Sequence, residues 1–261
     1  MRLGVSPDGE TIKESKIVSK PDDFGQGVLT LKKITGELSG GEKIEGVAGG
    51  IAGVLNHEKT ALAKSAHASS WAGKPLKLEL EKAFGCQAYL ENDTAIEGLG
   101  EAAKGTGQGK GIVAFINIGT GIGGVRIVAG KIDKNSLGFE PGHQIIVPEG
   151  NLCTCGGKGH WESYVGGSYL EKIYGQKGEN ITDPQIWDEI AKYLAIGLTN
   201  VAVHWSPDIF ILGGSVSRSI PLEKVQGYLN RFLTVFPQAP LITKCSLDDD
   251  AGLYGALELL R

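Results

Sequence analysis

The stretch CTCGGKGHWES, Cys153 to Ser163, sets two cysteines, a histidine and a glutamate among three glycines. A second histidine, His143, lies ten residues before Cys153 in GFEPGH. A disulfide between Cys153 and Cys155 would close a very small, strained ring. Two thiolates and two imidazoles, from His143, Cys153, Cys155 and His160, match instead the ligand set of a tetrahedral zinc site. Gly156, Gly157 and Gly159 would let the loop wrap such an ion. Four protein ligands leave no open coordination position, so the metal would be structural. The alternative is a pair of free thiols beside unrelated histidines. Two carboxylates flank the cluster, Glu140 three residues before His143 and Glu162 two after His160. A metal knot would fix both on one rigid platform; without it, Glu140 reads as a solvated loop residue and Glu162 as a first-turn acid favoured by the helix dipole. Cys86 and Cys245 have no partner nearby in sequence and read as small buried hydrophobes.

A second place for chemistry is AYLENDTAIEGLGE, where a strand ends in Asn92-Asp93 and a helix begins at once. Asp93 could simply be the helix N-cap. Thr94 and Glu97, however, form a T-x-x-E capping box of their own, which would satisfy the helix start and leave Asp93 as a general base. A carboxylate at the C-terminal end of a strand stands where α/β folds place ligands. The third place is INIGTGIGG. It lies between two strands rather than before a helix, which excludes the dinucleotide fingerprint, and it lacks the Lys-Ser/Thr pair of a Walker A loop. Its successive N–H groups could form an anion-binding concavity, with the Thr120 hydroxyl as a further donor; the plain alternative is a glycine-rich hairpin turn.

The elements that must position these residues alternate along the chain. MRLGV and TIKESKIV flank a Pro-Gly turn and predict a hairpin. GVLTLKKITGEL reads as a helix, KIEGVAGGIAGVL as a buried strand region, and KPLKLELEKAFG as a helix stopped by Gly85. QAYLEN, GIVAFINIG, GGVRIVAGKI and DIFILGG read as strands. TAIEGLGEAAKG, IWDEIAKYLAIGLTNVAVHW and GLYGALELLR read as helices. This order predicts an α/β protein with two sheets, divided near the glycine-rich stretch from Lys104 to Gly111. The 261 residues are 41% hydrophobic and 21% charged, as in ordinary globular proteins. A net charge of -4 without a basic run gives no reason to expect nucleic acid. With no signal-peptide pattern and no apolar stretch of membrane-spanning length, the expected compartment is the cytoplasm and no membrane partner is expected. The 40 glycines cluster at the ends of apolar runs rather than in a repeat.

Taken together, END (Glu91 to Asp93), NIGTGIGGV, GFEPGH, CTCGGKGHWES, DIFILGGSVS and DAGLYGALEL resemble the ROK family of sugar kinases within the actin-like ATPase superfamily. The motifs run in family order from about Val47 to Arg261. The resemblance implies a two-lobed actin-like ATPase (ribonuclease H-like) fold with a cleft between the lobes. Residues 1–108 with 248–261 would form the smaller lobe, and 109–247 the larger, zinc-binding one. It implies phosphorylation of a hexose, glucose or a related sugar, by ATP with Mg2+. Asp93 would match the base that takes the sugar hydroxyl proton, and Asn92 would hold a neighbouring hydroxyl. Glu140, His143 and Glu162 would match sugar-binding positions, His143 also ligating zinc through its other ring nitrogen. Gly119, Thr120, Gly121 and Gly123 would match the second phosphate loop, and Gly213 and Gly214 the turn beside adenosine. The family is often dimeric, so a homodimer is implied.

The chain departs from the pattern twice. The usual C-x-C-G-x-x-G-C has His160 in its last place, a change that imidazole ligation should tolerate. Family members also begin with a strand and a D-x-G-G-T loop that grips ATP phosphate, whereas MRLGVSPDGE resembles the strand after that loop. The expectation is a late-set start or a truncated protein, with sugar binding, poor phosphoryl transfer and an unpaired strand edge in the first lobe. The alternative function is a non-catalytic sugar-binding or sensing protein. A family repressor is disfavoured, since no helix-turn-helix precedes the fold.

Overall fold

The structure, a computed structural model, describes residues 1–65 and 68–261. It divides into two compact units. One comprises Met1–Lys104, Lys134–Gly138 and Asp249–Arg261; the other comprises Gly105–Asp133 and Phe139–Asp248.

The first unit opens with the antiparallel hairpin β1 (Arg2–Val5) and β2 (Glu14–Ile17). Its turn is organised by Asp8, whose carboxylate accepts the Thr11 hydroxyl and the Glu10 and Thr11 N–H groups at 2.7–2.8 Å. These donors, the Thr11 hydroxyl foremost, hold its carboxyl well below the usual range. Helix α1 (Phe24–Ser39) is capped by Asp23, which accepts the Gln26 N–H at 2.7 Å, and it ends at Gly40 in the left-handed region. Strands β3 (Gly46–Ile51), β4 (Val54–Leu55) and β5 (Leu62–Lys64) follow. Then come α2 (Leu76–Phe84), stopped by left-handed Gly85 as the sequence predicts, β6 (Gln87–Asn92) and α3 (Asp93–Lys104). β6 lies parallel to β3, with Asn92 opposite Ile51.

The second unit is built on one mixed five-stranded sheet, ordered β11-β10-β7-β8-β9. β7 (Ile112–Ile118), β8 (Ile122–Val128) and β9 (Lys131–Ile132) form an antiparallel meander. Two short helices, α4 (Glu162–Val165) and α5 (Gly167–Tyr174), precede the long α6 (Pro184–Trp205). β10 (Ile209–Gly213) adds parallel to β7, α7 (Leu222–Phe232) follows, and β11 (Leu241–Lys244) adds parallel to β10. The core is apolar and closed: Phe210, Leu212, Leu194, Leu198 and Trp161 have no solvent exposure. Among the described residues no helix is long and apolar enough to cross a membrane.

The last helix, α8 (Ala251–Glu258), packs with the first unit, on α3. The two helices meet backbone to backbone. A Cβ on Gly100 would lie 2.0 Å from the Ala251 carbonyl oxygen, and one on Gly255 1.7 Å from that of Ile96. Arg2 on β1 pairs with Asp249 and Asp250 just before α8, at 2.8 and 2.9 Å.

Three expectations are corrected. Among the described residues the first unit carries three two-stranded ladders, β1-β2, β3-β6 and β4-β5, rather than one sheet. Among the described residues β1 and β3 both pack on α8 and share no ladder. α5, α7 and β11 were not anticipated, although Leu222, Val225 and Leu229 give α7 a helical period; β11 is only four residues long. Cys86 and Cys245 are half-exposed rather than buried. The close helix crossing predicts that Gly100→Ala lowers unfolding stability by about 1–3 kcal/mol, read by urea denaturation. An unchanged midpoint would show that α8 can slide at no cost.

Candidate active site and metal centre

Two segments carry the cysteine–histidine cluster, and backbone hydrogen bonds zip them together. The Ile146 N–H donates to the Gly159 carbonyl at 2.8 Å, and the Trp161 N–H to that of Gln144 at 2.9 Å. This brings His143 and His160 face to edge, with their Nδ1 atoms 3.3 Å apart. Cys153 Sγ lies 3.8 Å from His143 Nδ1, and Cys155 Sγ 3.3 Å from His160 Nδ1. All four donor atoms fall within 4.8 Å of one another. A tetrahedral zinc ion sets nitrogen and sulfur donors roughly 3.3 to 3.8 Å apart. The donor set and its spacing therefore fit a metal ion and are consistent with zinc.

The carboxylates flank this cluster as the sequence suggests. Glu162, first residue of α4, is buried; its Oε1 accepts the Cys153 thiol at 2.9 Å and lies 3.8 Å from His143 Nδ1. Burial, helped by that contact, pushes the Cys153 thiol up to about 11. Glu140 is about half exposed and lies 3.9 Å from His143 on the ring's other side, at Nε2. His143 thus turns Nδ1 to the cysteines and Nε2 to Glu140.

The glycine loop between β7 and β8 is bound to the same platform. A Cβ on Gly121 would lie 2.6 Å from Glu162 Oε2, so the loop backbone passes close against that carboxylate. The loop carbonyls of Gly119 and Thr120 accept the N–H groups of Gly167 and Ser168 at 2.7 and 3.0 Å, at the start of α5. The Gly119 N–H is spent inside the loop on the Gly121 carbonyl, at 3.1 Å, and Gly123 lies in the β8 ladder opposite Asn117. Gly213 ends β10 beside the end of β7. Gly214, with φ of 86°, sits so close that a Cβ would lie 2.3 Å from Asn117 Oδ1. The two glycine turns therefore meet at the C-terminal ends of two parallel strands, a ligand-binding edge in such sheets.

Asn92 and Asp93 belong to the first unit. The capping box expected from Thr94 and Glu97 is not the helix cap. α3 begins at Asp93, and the Asn92 side-chain oxygen accepts the Ala95 N–H at 3.1 Å. Asn92 sits two residues earlier than Thr94, and it reaches the third N–H of the helix. Its Nδ2 donates to the Gly53 carbonyl at 3.1 Å, and Asp93 Oδ1 accepts the Thr94 N–H at 2.9 Å. Asp93 is thus first-turn rather than capping, where a helix favours negative charge.

Sequence reasoning passed over the anchors of the metal loop. Trp161, between His160 and Glu162, is fully buried, and its indole N–H donates to the Tyr193 carbonyl in α6 at 3.0 Å. Asn200 of α6 donates to the Gln144 side chain at 2.8 Å. A tryptophan inside an otherwise polar glycine loop was the available signal.

A mixed sheet whose glycine turns gather at the strand ends, with a separate α/β unit whose parallel strand ends in Asn-Asp, is an actin-like ATPase architecture. The chain belongs to the ROK family, whose model matches residues 5–261. It is 28% identical over 260 residues to a glucokinase of Streptomyces coelicolor, covering 85% of this chain and 81% of that one. The crystal structure of a ROK family glucokinase from Streptomyces griseus in complex with glucose and AMPPNP superposes with a TM-score of 0.81 at 27% identity, covering 98% of this chain and 94% of that one. A xylose repressor of Bacillus spizizenii is 28% identical over 170 residues, covering 59% of this chain and 44% of its own.

The anchoring of the loop predicts that Trp161→Ala loses about 3–5 kcal/mol of stability by denaturant titration. A loss below about 1 kcal/mol would mean that the loop holds its place without the indole.

Proposed function

We propose that the protein is an ATP-dependent hexose kinase that transfers the γ-phosphoryl group to a hydroxyl of glucose or a related sugar. The observation that carries this reading is the contact of the Glu140–His143–Glu162 platform, through Gly121, with the glycine turns at the ends of β7 and β10. In this reading the carboxylates would accept sugar hydroxyls and the neighbouring glycine backbone would face phosphate. Zinc held by His143, Cys153, Cys155 and His160 would fix the platform as a structural ion. Ligation through Nδ1 would leave the proton of His143 on Nε2, a donor aimed to the Glu140 side.

In this scheme Glu140, His143, Glu162 and Asn92 hold the sugar. Thr120 and the glycine turns at Gly119 to Gly123 and Gly213-Gly214 hold the nucleotide. Mg2+ accompanying ATP would neutralise phosphate charge. Asp93 takes the proton of the attacking hydroxyl as the new O–P bond forms, and ADP departs with the electron pair of the broken one. Asn92 caps the helix, so α3 does not need Asp93 for that task.

The xylose repressor relative supports a second reading, sugar sensing without transfer. Sugar-dependent release of ADP from ATP separates the two: release supports the kinase, and sugar binding without release supports the sensor.

Metal analysis of the purified protein is expected to find one zinc per chain, and Cys155→Ser to weaken sugar binding on the order of tenfold by loosening the carboxylates. Protein without zinc, with a Tm unmoved by chelators, would refute the metal assignment. Asp93→Asn is expected to lower turnover by a factor on the order of 100 to 10,000 while sugar affinity stays within a few-fold. Near-native turnover would remove Asp93 as base. A loss confined to stability would make it a helix-start residue.

A further inference from the structure

Glu91, the residue before Asn92 on β6, is buried, with 8% of its side chain exposed. A carboxylate so placed requires donors or a counter-charge. It has both. Oε1 accepts the backbone N–H of Asn92 at 3.0 Å, and Oε2 takes the ammonium of Lys59. Lys59 comes from the turn between β4 and β5, and that turn is tightly built. Asn56 Oδ1 accepts the N–H groups of Thr60 and Ala61 at 2.7 and 3.0 Å, and the Asn56 carbonyl accepts the Lys59 N–H at 2.9 Å. Lys59 itself takes φ of 52°, a left-handed conformation that a long side chain rarely adopts. The same hairpin region touches the strand end a second time, where the Gly53 carbonyl accepts Asn92 Nδ2.

Asn92 is therefore held at three points: its backbone N–H by Glu91, its amide nitrogen by Gly53 and its amide oxygen by the N–H of Ala95. The first depends on the Glu91 carboxylate staying in place, and the ammonium that holds it is delivered from 32 residues away. Stability alone explains this poorly, since a pair whose lysine side chain is 38% exposed gains little from its charge. A charge reached through an unfavourable backbone conformation suits a task of geometry. We infer that Lys59 is a positioning residue: by clamping Glu91 it sets the backbone at Asn92, and with it the Asn92 amide and the Asp93 carboxylate that meet the sugar. This rests on the sugar-kinase reading above.

The test titrates glucose, mannose, fructose and N-acetylglucosamine into the full chain by calorimetry and carries the tightest binder forward. Lys59→Met is expected to weaken that sugar about tenfold, and Lys59→Arg to restore affinity to within about threefold. The double variant Lys59→Met/Glu91→Gln has no stranded charge and should melt like the parent, yet bind sugar as weakly as Lys59→Met. Unchanged affinity in Lys59→Met overturns the inference. So does full recovery in the double variant, or an affinity loss that tracks Tm and is not rescued by arginine. If the parent chain binds none of the four sugars, the sugar-kinase reading falls and this inference with it. Parent binding with an unaffected Lys59→Met removes this inference alone.

Discussion

A carboxylate taken out of water must be met by donors or by a cation, and both places where chemistry is proposed are arranged around that constraint. Glu162 and Glu91 are each buried, one in each unit. Glu162 sits against the Cys153 thiol and the His143 ring, and Glu91 against Lys59 and the Asn92 N–H. Neither can be displaced without stranding charge, so each holds its neighbours in place. For Glu162 the neighbours are the cysteine–histidine cluster and Gly121; for Glu91 they are Asn92 and Asp93. The core beneath is ordinary apolar packing, and it could carry many loops. The buried acids restrict it to these.

Backbone proximity does the rest. The glycine turns at residues 119–121 and 213–214 lie at the ends of adjacent parallel strands, where a β-carbon on Gly121 would crowd the Glu162 carboxylate and one on Gly214 the Asn117 and Ile118 oxygens. Phosphate binding asks for such bare backbone, because side chains would hold a polyanion at arm's length. The loop spends its carbonyls on the start of α5, through Gly167 and Ser168, and this fixes which way its peptide planes face. α5 was not foreseen from the sequence, yet it orients the loop.

Much of the site was legible because its chemistry is local in sequence. Cys153, Cys155 and His160 fall within eight residues, and Gly119 to Gly123 within five, so residue type and spacing sufficed. The strand–helix junction at Asn92-Asp93 was also readable, but its cap was assigned one pattern too far along, at Thr94. Both assignments satisfy the same helix N–H groups, and sequence alone cannot say which oxygen arrives first. What was not legible is what acts over distance. Trp161 on Tyr193, Asn200 on Gln144 and Lys59 on Glu91 join positions 32 to 56 residues apart. The division of the first unit into three short ladders was hidden for a similar reason. Apolar alternation tells which residues are buried, but it does not tell whether a strand or a helix covers them.

The departure from the family's ligand pattern at His160 has an electrostatic consequence. With zinc bound, two thiolates cancel the ion's charge, whereas three would leave the knot with a net negative charge. A negative knot would repel Glu162, whose Oε1 lies 2.9 Å from Cys153 Sγ, and Glu140 on the far side of His143. Exchanging the third thiolate-bearing position for a neutral imidazole would remove that repulsion. His160 is also the residue whose carbonyl accepts the Ser163 hydroxyl and N–H, at 2.6 and 3.0 Å, at the start of α4. The same residue thus shapes the turn that carries Glu162 and, with a metal bound, would set the charge beside it.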